Sequence, residues 1–194
     1  MLLFKDIHYD ARVQREAKAL AEDGHEVTLI CVNEFNYEAP SIHENVYIHK
    51  LHLFAKQAKQ TLTSEQGNHK KSSVVKKLIF KFVRSSIIKV MKDFFSYREF
   101  YKKSKQILHE KNYDVIHCHD LNTLMQGYYL SKRYKSILVY DSHELFNEMA
   151  GRKRLDKIIG NMMEKHYYKK IDHLITVNPF LQKELKRRYG FKPF

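Results

Sequence analysis

Two short stretches of the chain end in side chains that can bind a ligand or carry a proton. Residues Asp114–Asp120 read DVIHCHD, and residues Ile137–Glu144 read ILVYDSHE. The apolar run that opens each stretch predicts a buried strand. Ligands of open parallel α/β sheets bind beyond the carboxyl ends of the strands, so the polar residues that follow are expected to line a site. These residues are His117, His119, Asp120, His143 and Glu144.

Three kinds of chemistry fit this cluster. Residues 117 and 119 of a strand point to the same face, so their imidazoles could hold a metal with Asp141 and His143, as in a metal-dependent hydrolase. They could instead be ordinary histidines that form hydrogen bonds at a strand end. The third interpretation, a polar site without metal that binds a sugar or a phosphate, is the one we favour.

The elements around these stretches alternate between strand and helix. This alternation predicts a doubly wound, Rossmann-like α/β domain with a parallel sheet. No Gly-x-Gly-x-x-Gly and no Gly-x-x-x-x-Gly-Lys occurs, which argues against a dinucleotide dehydrogenase and a P-loop ATPase. The predicted strands are a stub at Met1–Phe4, Glu26–Val32, Val46–Leu53, Asp114–Asp120, Ile137–Asp141 and His173–Val177. The predicted helices run from Asp10 to Gly24, Ser73–Phe95, Tyr97–Lys111, Asn122–Lys132, Arg152–Lys170 and from Asn178 to Gly190.

Composition indicates a folded, water-soluble chain. The 194 residues, 43% hydrophobic and 29% charged, predict one domain over residues 1–194 with a sizeable core. The only cysteines, Cys31 and Cys118, suggest neither a disulfide framework nor a zinc site, which fits a reducing compartment. No signal peptide and no apolar run long enough to cross a membrane is predicted. We therefore expect a cytoplasmic location.

The net charge of +13 comes almost entirely from one segment, at about residues 55–105. Lys56–Lys105 contains 14 lysines and arginines against three acidic residues. Within it, Ser73–Phe95 predicts an amphipathic helix with a basic face, a pattern typical of helices on anionic membranes. An ordinary domain helix with solvated lysines fits equally well, and nucleic-acid binding is a weaker alternative because no reader motif occurs. The expected membrane contacts are Lys76, Lys77, Lys81, Arg84 and Lys89.

The sequence resembles a known family at three places. DARVQREAKALAEDGHEVTLI, DVIHCHD and YDSHELFNE, in this order, are similar to the amino-terminal half of retaining glycosyltransferases of family 4, which have the GT-B fold. The resemblance extends over roughly Asp10–Gly190, apart from the basic segment. It implies a sugar-transferring enzyme that uses a nucleotide-sugar as donor substrate and needs no metal or other cofactor.

The resemblance also implies roles for individual residues. His119 corresponds to the catalytic-site histidine that contacts the donor sugar or its phosphate, and His143 lies on the same cleft. In this family the entry to the first helix approaches the donor phosphates and the acceptor. Arg12 and Arg15 could instead be solvated or form an ion pair with Glu16 or Asp120. The residues expected to bind substrate are Asp10, Arg12, Arg15, His117, Asp120, His143 and Glu144.

The sequence departs from the family in two respects. No second Rossmann-like half with a Glu-x7-Glu pattern follows Gly190, and Lys5-Asp6-Ile7-His8 replaces the glycine-containing first loop. We therefore expect an acceptor-binding domain, a gene fragment, or one subunit of a split enzyme with a separate donor-binding subunit. It would act on a lipid-linked or polysaccharide acceptor, on the inner face of the membrane, and would be inactive without a donor-binding domain. The alternative is a non-catalytic module that keeps the fold and docks on a membrane or a partner.

Overall fold

The computed structural model describes residues 1–35, 37–54, 86–143, 145 and 154–190. These residues form a single six-stranded sheet, five α-helices and two 3-10 turns at Ile7–Tyr9 and Leu108–Glu110. The strands are β1 (Leu2–Leu3), β2 (Val27–Val32), β3 (Val46–Leu51), β4 (Val115–His119), β5 (Ile137–Ser142) and β6 (His173–Thr176). The helices are α1 (Ala11–Glu22), α2 (Ser86–Ile107), α3 (Leu121–Tyr134), α4 (Arg154–Tyr168) and α5 (Pro179–Tyr189).

All six strands are parallel, in the order β3-β2-β1-β4-β5-β6. The chain adds strands on one side of β1 and then returns to add the others beyond β4. The order therefore reverses between β1 and β4, which is the topological switch point where ligands of such sheets bind. The predicted doubly wound, Rossmann-like parallel sheet is confirmed.

Alternation along the strands divides the core into two layers. Leu3, Leu29 and Cys31 pack with Val13 and Ala17 of α1 on one face of the sheet. Their neighbours in sequence point to the opposite face, where the larger core lies. Its buried residues include Leu2, Ile30, Ile116, Cys118, Leu124, Leu130, Tyr140, Tyr168 and Leu185.

Local signals account for most helix ends. The Asp10 side chain accepts a hydrogen bond from Val13 N, and the Asn178 side chain accepts one from Leu181 N, as predicted for N-caps. Gly190 ends α5 with φ 71°, a conformation that glycine adopts without steric cost.

The prediction of two helices around residue 96 was wrong. One continuous helix, α2, runs through the expected break between Ser73–Phe95 and Tyr97–Lys111. It contains neither glycine nor proline, and Ser96 at the expected break is buried within it. Residues 55–85 of the basic segment lie outside the described residues. Among the described helices, none combines the length and the apolar character needed to cross a lipid bilayer.

Candidate functional site

The candidate site lies where β4 ends beside β1. Leu3 pairs with His119 in register, so this histidine stands at the switch point itself. Asp120 follows with φ 64° and ψ 163°, a backbone conformation that costs of order 1–3 kcal/mol for a residue with a side chain. Asp120 N donates a hydrogen bond to Asp141 O of β5, which holds the two strand ends together.

Four side chains from three elements converge here. His117 and His119 of β4 point toward α1, and their rings stack with centroids 4.4 Å apart. Glu16 of α1 reaches both histidines, with its oxygens 3.2 Å from His117 Nδ1 and 3.9 Å from His119 Nδ1. Asp141 of β5 approaches the same nitrogen of His119, at 3.3 Å. The result is a cluster of two imidazoles and two carboxylates, which we call the His119 cluster.

His143 extends this cluster beyond β5. Its Nε2 lies 3.0 Å from Asp141 Oδ2, and its ring is nearly parallel to that of His119 at 6.3 Å. Asp141 therefore lies between two imidazoles, that of His119 on β4 and that of His143 just after β5. This arrangement fixes the orientation of the carboxylate at the strand end.

Burial and the neighbouring charges set the protonation of the cluster. Burial, with a smaller contribution from His119, lowers the pKa of His117 to about 3, so its ring is neutral near pH 7. Burial also opposes ionisation of Asp141, but His119 and His143 outweigh it and hold the pKa of this carboxyl well below its usual range. Burial raises the pKa of Glu16.

His119 is fully buried, yet neither ring nitrogen makes a hydrogen bond of good geometry within the described residues. Asp141 Oδ2 lies near Nδ1 but outside the alignment of a hydrogen bond. Nearly all buried polar groups in folded proteins are paired, so such a group calls for a bound partner. Both ring nitrogens of His119, like those of His143, are therefore candidates to contact a bound ligand.

The donor set is also compatible with a metal ion in its composition. Ligand atoms of Glu16, His117, His119 and Asp141 all lie within 4.8 Å of one another. The set expected from the sequence had His143 as its fourth member, and Glu16 takes that place here. Mixed imidazole and carboxylate ligands suit zinc or manganese. A site without metal nevertheless stays our prediction.

The amino end of α1 brings a second polar group to the same edge of the sheet. Asp10 is buried and pairs with Lys5 Nζ at 2.7 Å and with Arg12 Nη2 at 3.2 Å. Lys5 and the helix-capping bond to Val13 N outweigh burial and lower the pKa of Asp10. Arg12 is thus paired with Asp10 and not with Glu16 or Asp120, while Arg15 lies on the exposed face of α1.

Comparison with known proteins decides the family. A family model described as Glycosyltransferase Family 4 matches residues 11–193, almost the whole chain. The chain belongs to glycosyltransferase family 4. No match is found among curated protein sequences.

Solved structures agree with this assignment at the level of the fold. The family 4 domain is similar to sucrose-phosphate synthase from Thermosynechococcus elongatus, with TM-score 0.65 and 15% identity over 97% of this chain. A second structure with the same description matches with TM-score 0.58 and 16% identity, over 99% of this chain and 82% of that one. The domain spans 45% of the first of these chains.

The expected membrane contacts are only partly described. Lys89 is half-exposed and pairs with the buried Asp156 of α4, so its charge also joins two helices of the family 4 domain. The remaining expected contacts and one expected substrate-binding residue lie outside the described residues; they are Lys76, Lys77, Lys81, Arg84 and Glu144.

Sequence reasoning missed the part that Glu16 plays in the site. The helical spacing of the sequence could have indicated it, because Glu16 lies between Val13 and Ala17, which pack against the sheet. A carboxylate on the inner side of a helix requires a partner there. Asp141 was considered only as a metal ligand, whereas it is the carboxylate that links His119 to His143.

Proposed function

We propose that this family 4 domain is the acceptor-binding half of a retaining glycosyltransferase. The enzyme would transfer a sugar from a nucleotide-sugar to a lipid-linked or polysaccharide acceptor. The observation that carries this proposal is the buried His119 at the switch point of the sheet, whose ring nitrogens make no aligned hydrogen bond to any described residue. Ligands of such sheets bind beyond this strand end, so a donor sugar or its phosphate in the cleft would lie next to His119 and the more exposed His143.

In this proposal His119 positions the substrate and stabilises developing charge. Asp141 and Glu16 lie 3.3 Å and 3.9 Å from its Nδ1 and hold the ring in one orientation. Pre-placed polar groups of this kind contribute strongly to catalysis because they need no reorganisation during the reaction. His119 would not act as a general base, and no protein nucleophile is required.

Anionic groups of the substrate would find complementary charge at the same edge. The amino end of α3 begins at Leu121, directly after the strained Asp120, and its free N–H groups attract phosphate. Arg12 and Arg15 stand at the amino end of α1, near the carboxyl end of β1. A guanidinium offers forked donors to a phosphate or a carboxylate.

The donor-binding half of the enzyme would come from another polypeptide segment or subunit. In the family that the sequence resembles, the nucleotide-sugar binds mainly to a second Rossmann-like domain. We therefore propose that this domain alone does not turn over substrate. The His119 cluster would complete a cleft only when a second domain faces it.

A membrane surface is the proposed place of action. The amino-terminal half of α2 exposes Met91, Phe94 and Phe95 beside the basic residues Lys92 and Arg98. Apolar side chains next to lysines and arginines suit an interface with anionic lipid. This part of α2 lies near the amino end of α3, since Tyr97 donates a hydrogen bond to Asn122. A lipid-linked acceptor held there would be close to the site.

Reconstitution tests the function and the half-enzyme proposal together. Membrane extract from the native host, with the gene for this chain deleted, is incubated with radiolabelled nucleotide-sugars. We expect label in lipid-linked or polysaccharide fractions only when purified chain and extract are both present. His119→Ala should lower this incorporation on the order of a hundredfold, as the loss of one preorganised donor does in other enzymes. His25→Ala, at an exposed histidine near the opposite edge of the sheet, is the matched control.

Each contrary outcome has a distinct meaning. Equal incorporation without the added chain would contradict the glycosyltransferase function and favour a docking module. Release of nucleotide by the chain alone would contradict the half-enzyme proposal. Full incorporation of label with His119→Ala would show that His119 has no role in the transfer.

A further inference from the structure

Three aromatic side chains stand exposed at the carboxyl edge of the sheet. Tyr9, Phe35 and Tyr37 are 58%, 50% and 54% exposed. The Phe35 and Tyr37 rings are nearly parallel with centroids 6.0 Å apart, and Tyr9 lies 5.1 Å from Phe35. His8 packs edge-on against Tyr37 at 5.5 Å. We call Tyr9, Phe35 and Tyr37 the aromatic platform.

One buried carboxylate holds the platform in place. Asp6 has no exposed surface and caps the 3-10 turn that carries Tyr9, accepting hydrogen bonds from His8 N and His8 Nδ1. Its other oxygen accepts a hydrogen bond from Glu34 N, next to Phe35.

The same oxygen of Asp6 pairs with Lys50 Nζ at 2.9 Å. Lys50 in turn donates a hydrogen bond to the Tyr37 carbonyl. Lys50 and His8 outweigh burial and hold the pKa of Asp6 well below its usual range, so the anchor is a carboxylate. The backbone segments that carry the three aromatic residues are therefore held in place before any ligand arrives, which reduces the entropy lost on binding.

The platform lies beside the His119 cluster. Tyr9 follows β1, and Phe35 and Tyr37 follow β2, so both segments leave the sheet at the edge where His119 ends β4. Only β1 separates β2 from β4, and two strand spacings amount to about 10 Å. A chain of a few sugar units that ends at His119 can reach the platform.

The chemistry of the platform favours a carbohydrate over a lipid chain. One face of a pyranose ring is made of C–H groups and lies flat on an aromatic ring, while its hydroxyls need donors and acceptors at the rim. The platform offers both, because Tyr9 and Tyr37 pack beside the Phe35 ring and carry hydroxyls, and the His8 ring packs against Tyr37. An acyl chain would offer these polar groups no hydrogen bond. Rigid aromatic rings left in water are also typical of binding surfaces.

We propose that Tyr9, Phe35 and Tyr37 bind sugar units of the acceptor glycan by stacking, next to the unit that receives the new sugar. This inference rests on the proposed function and adds to it a specificity-determining surface. It requires binding of glycan by this chain alone, with neither donor nor transfer. Asp6 and Lys50 are positioning residues, since they act through the three aromatic side chains.

The test is direct binding of glycans to the purified full chain. A printed array of bacterial, plant and animal glycans identifies the best ligand, and isothermal titration calorimetry then measures its Kd. We expect Tyr9→Ala and Tyr37→Ala each to weaken binding roughly three- to tenfold, the range expected for the loss of one stacking partner. Tyr9→Phe keeps the ring and should bind within about twofold of the native chain.

The matched control is Tyr47→Ala. Tyr47 is 47% exposed, but it lies at the amino end of β3, on the opposite edge of the same sheet. Its loss should leave Kd unchanged. Thermal unfolding followed by circular dichroism verifies that each variant is folded.

Several results would overturn the proposal. They are binding of no glycan on the array, native Kd in both folded Tyr→Ala variants, or a platform that proves to be a dimer contact by light scattering. The reconstitution assay separates this proposal from the proposed function. Chain-dependent transfer that Tyr37→Ala leaves intact would refute the platform alone. Glycan binding that requires the platform, without any transfer, would refute the transferase function alone.

Discussion

At the scale of single residues, the site is a set of mutually dependent charges. His117 and His119 are both nearly or fully buried, and Glu16 and Asp141 flank them. Burying one imidazole without compensation would be costly, and two stacked imidazoles cannot both carry a proton easily. The fold therefore holds the ring of His117 neutral beside the carboxylate of Glu16.

This arrangement predicts a loss of stability in mild acid. Burial lowers the pKa of His117 from 6.5 to about 3, so between these values the unfolded chain binds a proton that the folded chain does not. Stability then falls as the pH falls through this window, by about 2 kcal/mol from this residue between pH 7 and pH 5. Urea unfolding should show this loss in the native chain and a smaller one in His117→Gln.

The exposed His25→Gln variant is the control for this measurement and should follow the native chain. Glu16 acts in the opposite direction, because its raised pKa favours proton uptake by the folded state. Comparison of His117→Gln with the native chain isolates the histidine. An identical pH dependence of His117→Gln and the native chain would show that His117 is not held neutral by the fold.

At the scale of elements, the contact between β4 and α3 determines how the site is presented. Gly127 of α3 lies directly over Cys118, and a Cβ added to this glycine would meet Cys118 Sγ at 1.9 Å. The absence of a side chain lets the helix lie close to the strand. Cys118 points to this face and His119 points to the other, so the same packing that seats α3 orients the site histidine.

This close contact predicts that substitutions of Gly127 and Cys118 have non-additive effects on the free energy of unfolding. Gly127→Ala should destabilise the fold by about 1–3 kcal/mol through overpacking, although alanine by itself favours a helix by about 1 kcal/mol. In a Cys118→Ala background the cost should largely disappear, because Sγ is gone. Urea midpoints at unchanged m-value provide the measurement.

A second cysteine offers the matched comparison for this cycle. Cys31 is buried in the core of the opposite face, away from Gly127, so Cys31→Ala and Gly127→Ala should add. If the losses of unfolding free energy in Gly127→Ala and Cys118→Ala add in the double variant, the proposed contact between the two residues is wrong. Burial raises the pKa of both thiols to about 12, so neither is expected to react during the measurements.

At the scale of the whole molecule, the positive charge is concentrated in one segment of the sequence. Residues 56–105 hold most of the net charge of +13, with 14 basic residues against three acidic ones, and the described part of that segment exposes Phe94 and Phe95. An anionic membrane would attract this segment. Each basic residue near such a surface contributes about 1 kcal/mol, an attraction that salt screens.

Co-sedimentation with liposomes measures this directly. We expect binding to vesicles that contain phosphatidylserine, weaker at high salt, and none to vesicles of phosphatidylcholine alone. Glutamate in place of Lys76, Lys77, Lys81 and Arg84 should abolish binding.

The control for the liposome measurement changes four basic residues near the amino edge of the sheet. Glutamate at Lys132, Arg133, Lys135 and Lys169 removes the same number of charges and should leave most binding in place. Equal loss in both variants would indicate a response to net charge only. If the chain binds neither kind of vesicle, the basic segment is an ordinary solvated surface and not a membrane contact.

Much of the fold follows from local patterns in the sequence. Apolar runs of strand length, caps at Asp10 and Asn178, and Gly190 place most strands and helices within a few residues of their observed ends. The expected break near residue 96 does not occur, because one helix runs through this position. Without glycine or proline nothing stops the backbone hydrogen bonds, so α2 continues, with Ser96 and Phe100 buried.

The sequence by itself determined the fold class, the family and the polar residues at the ends of β4 and β5. These follow from periodicity and from motifs that are contiguous along the chain. Only the tertiary structure decided that Glu16 and Asp141 are the carboxylates around His119, and that Asp6 and Lys50 hold an aromatic platform beside it. Those partners come from strands and helices far apart in sequence, so packing across the sheet, and not local spacing, selects them.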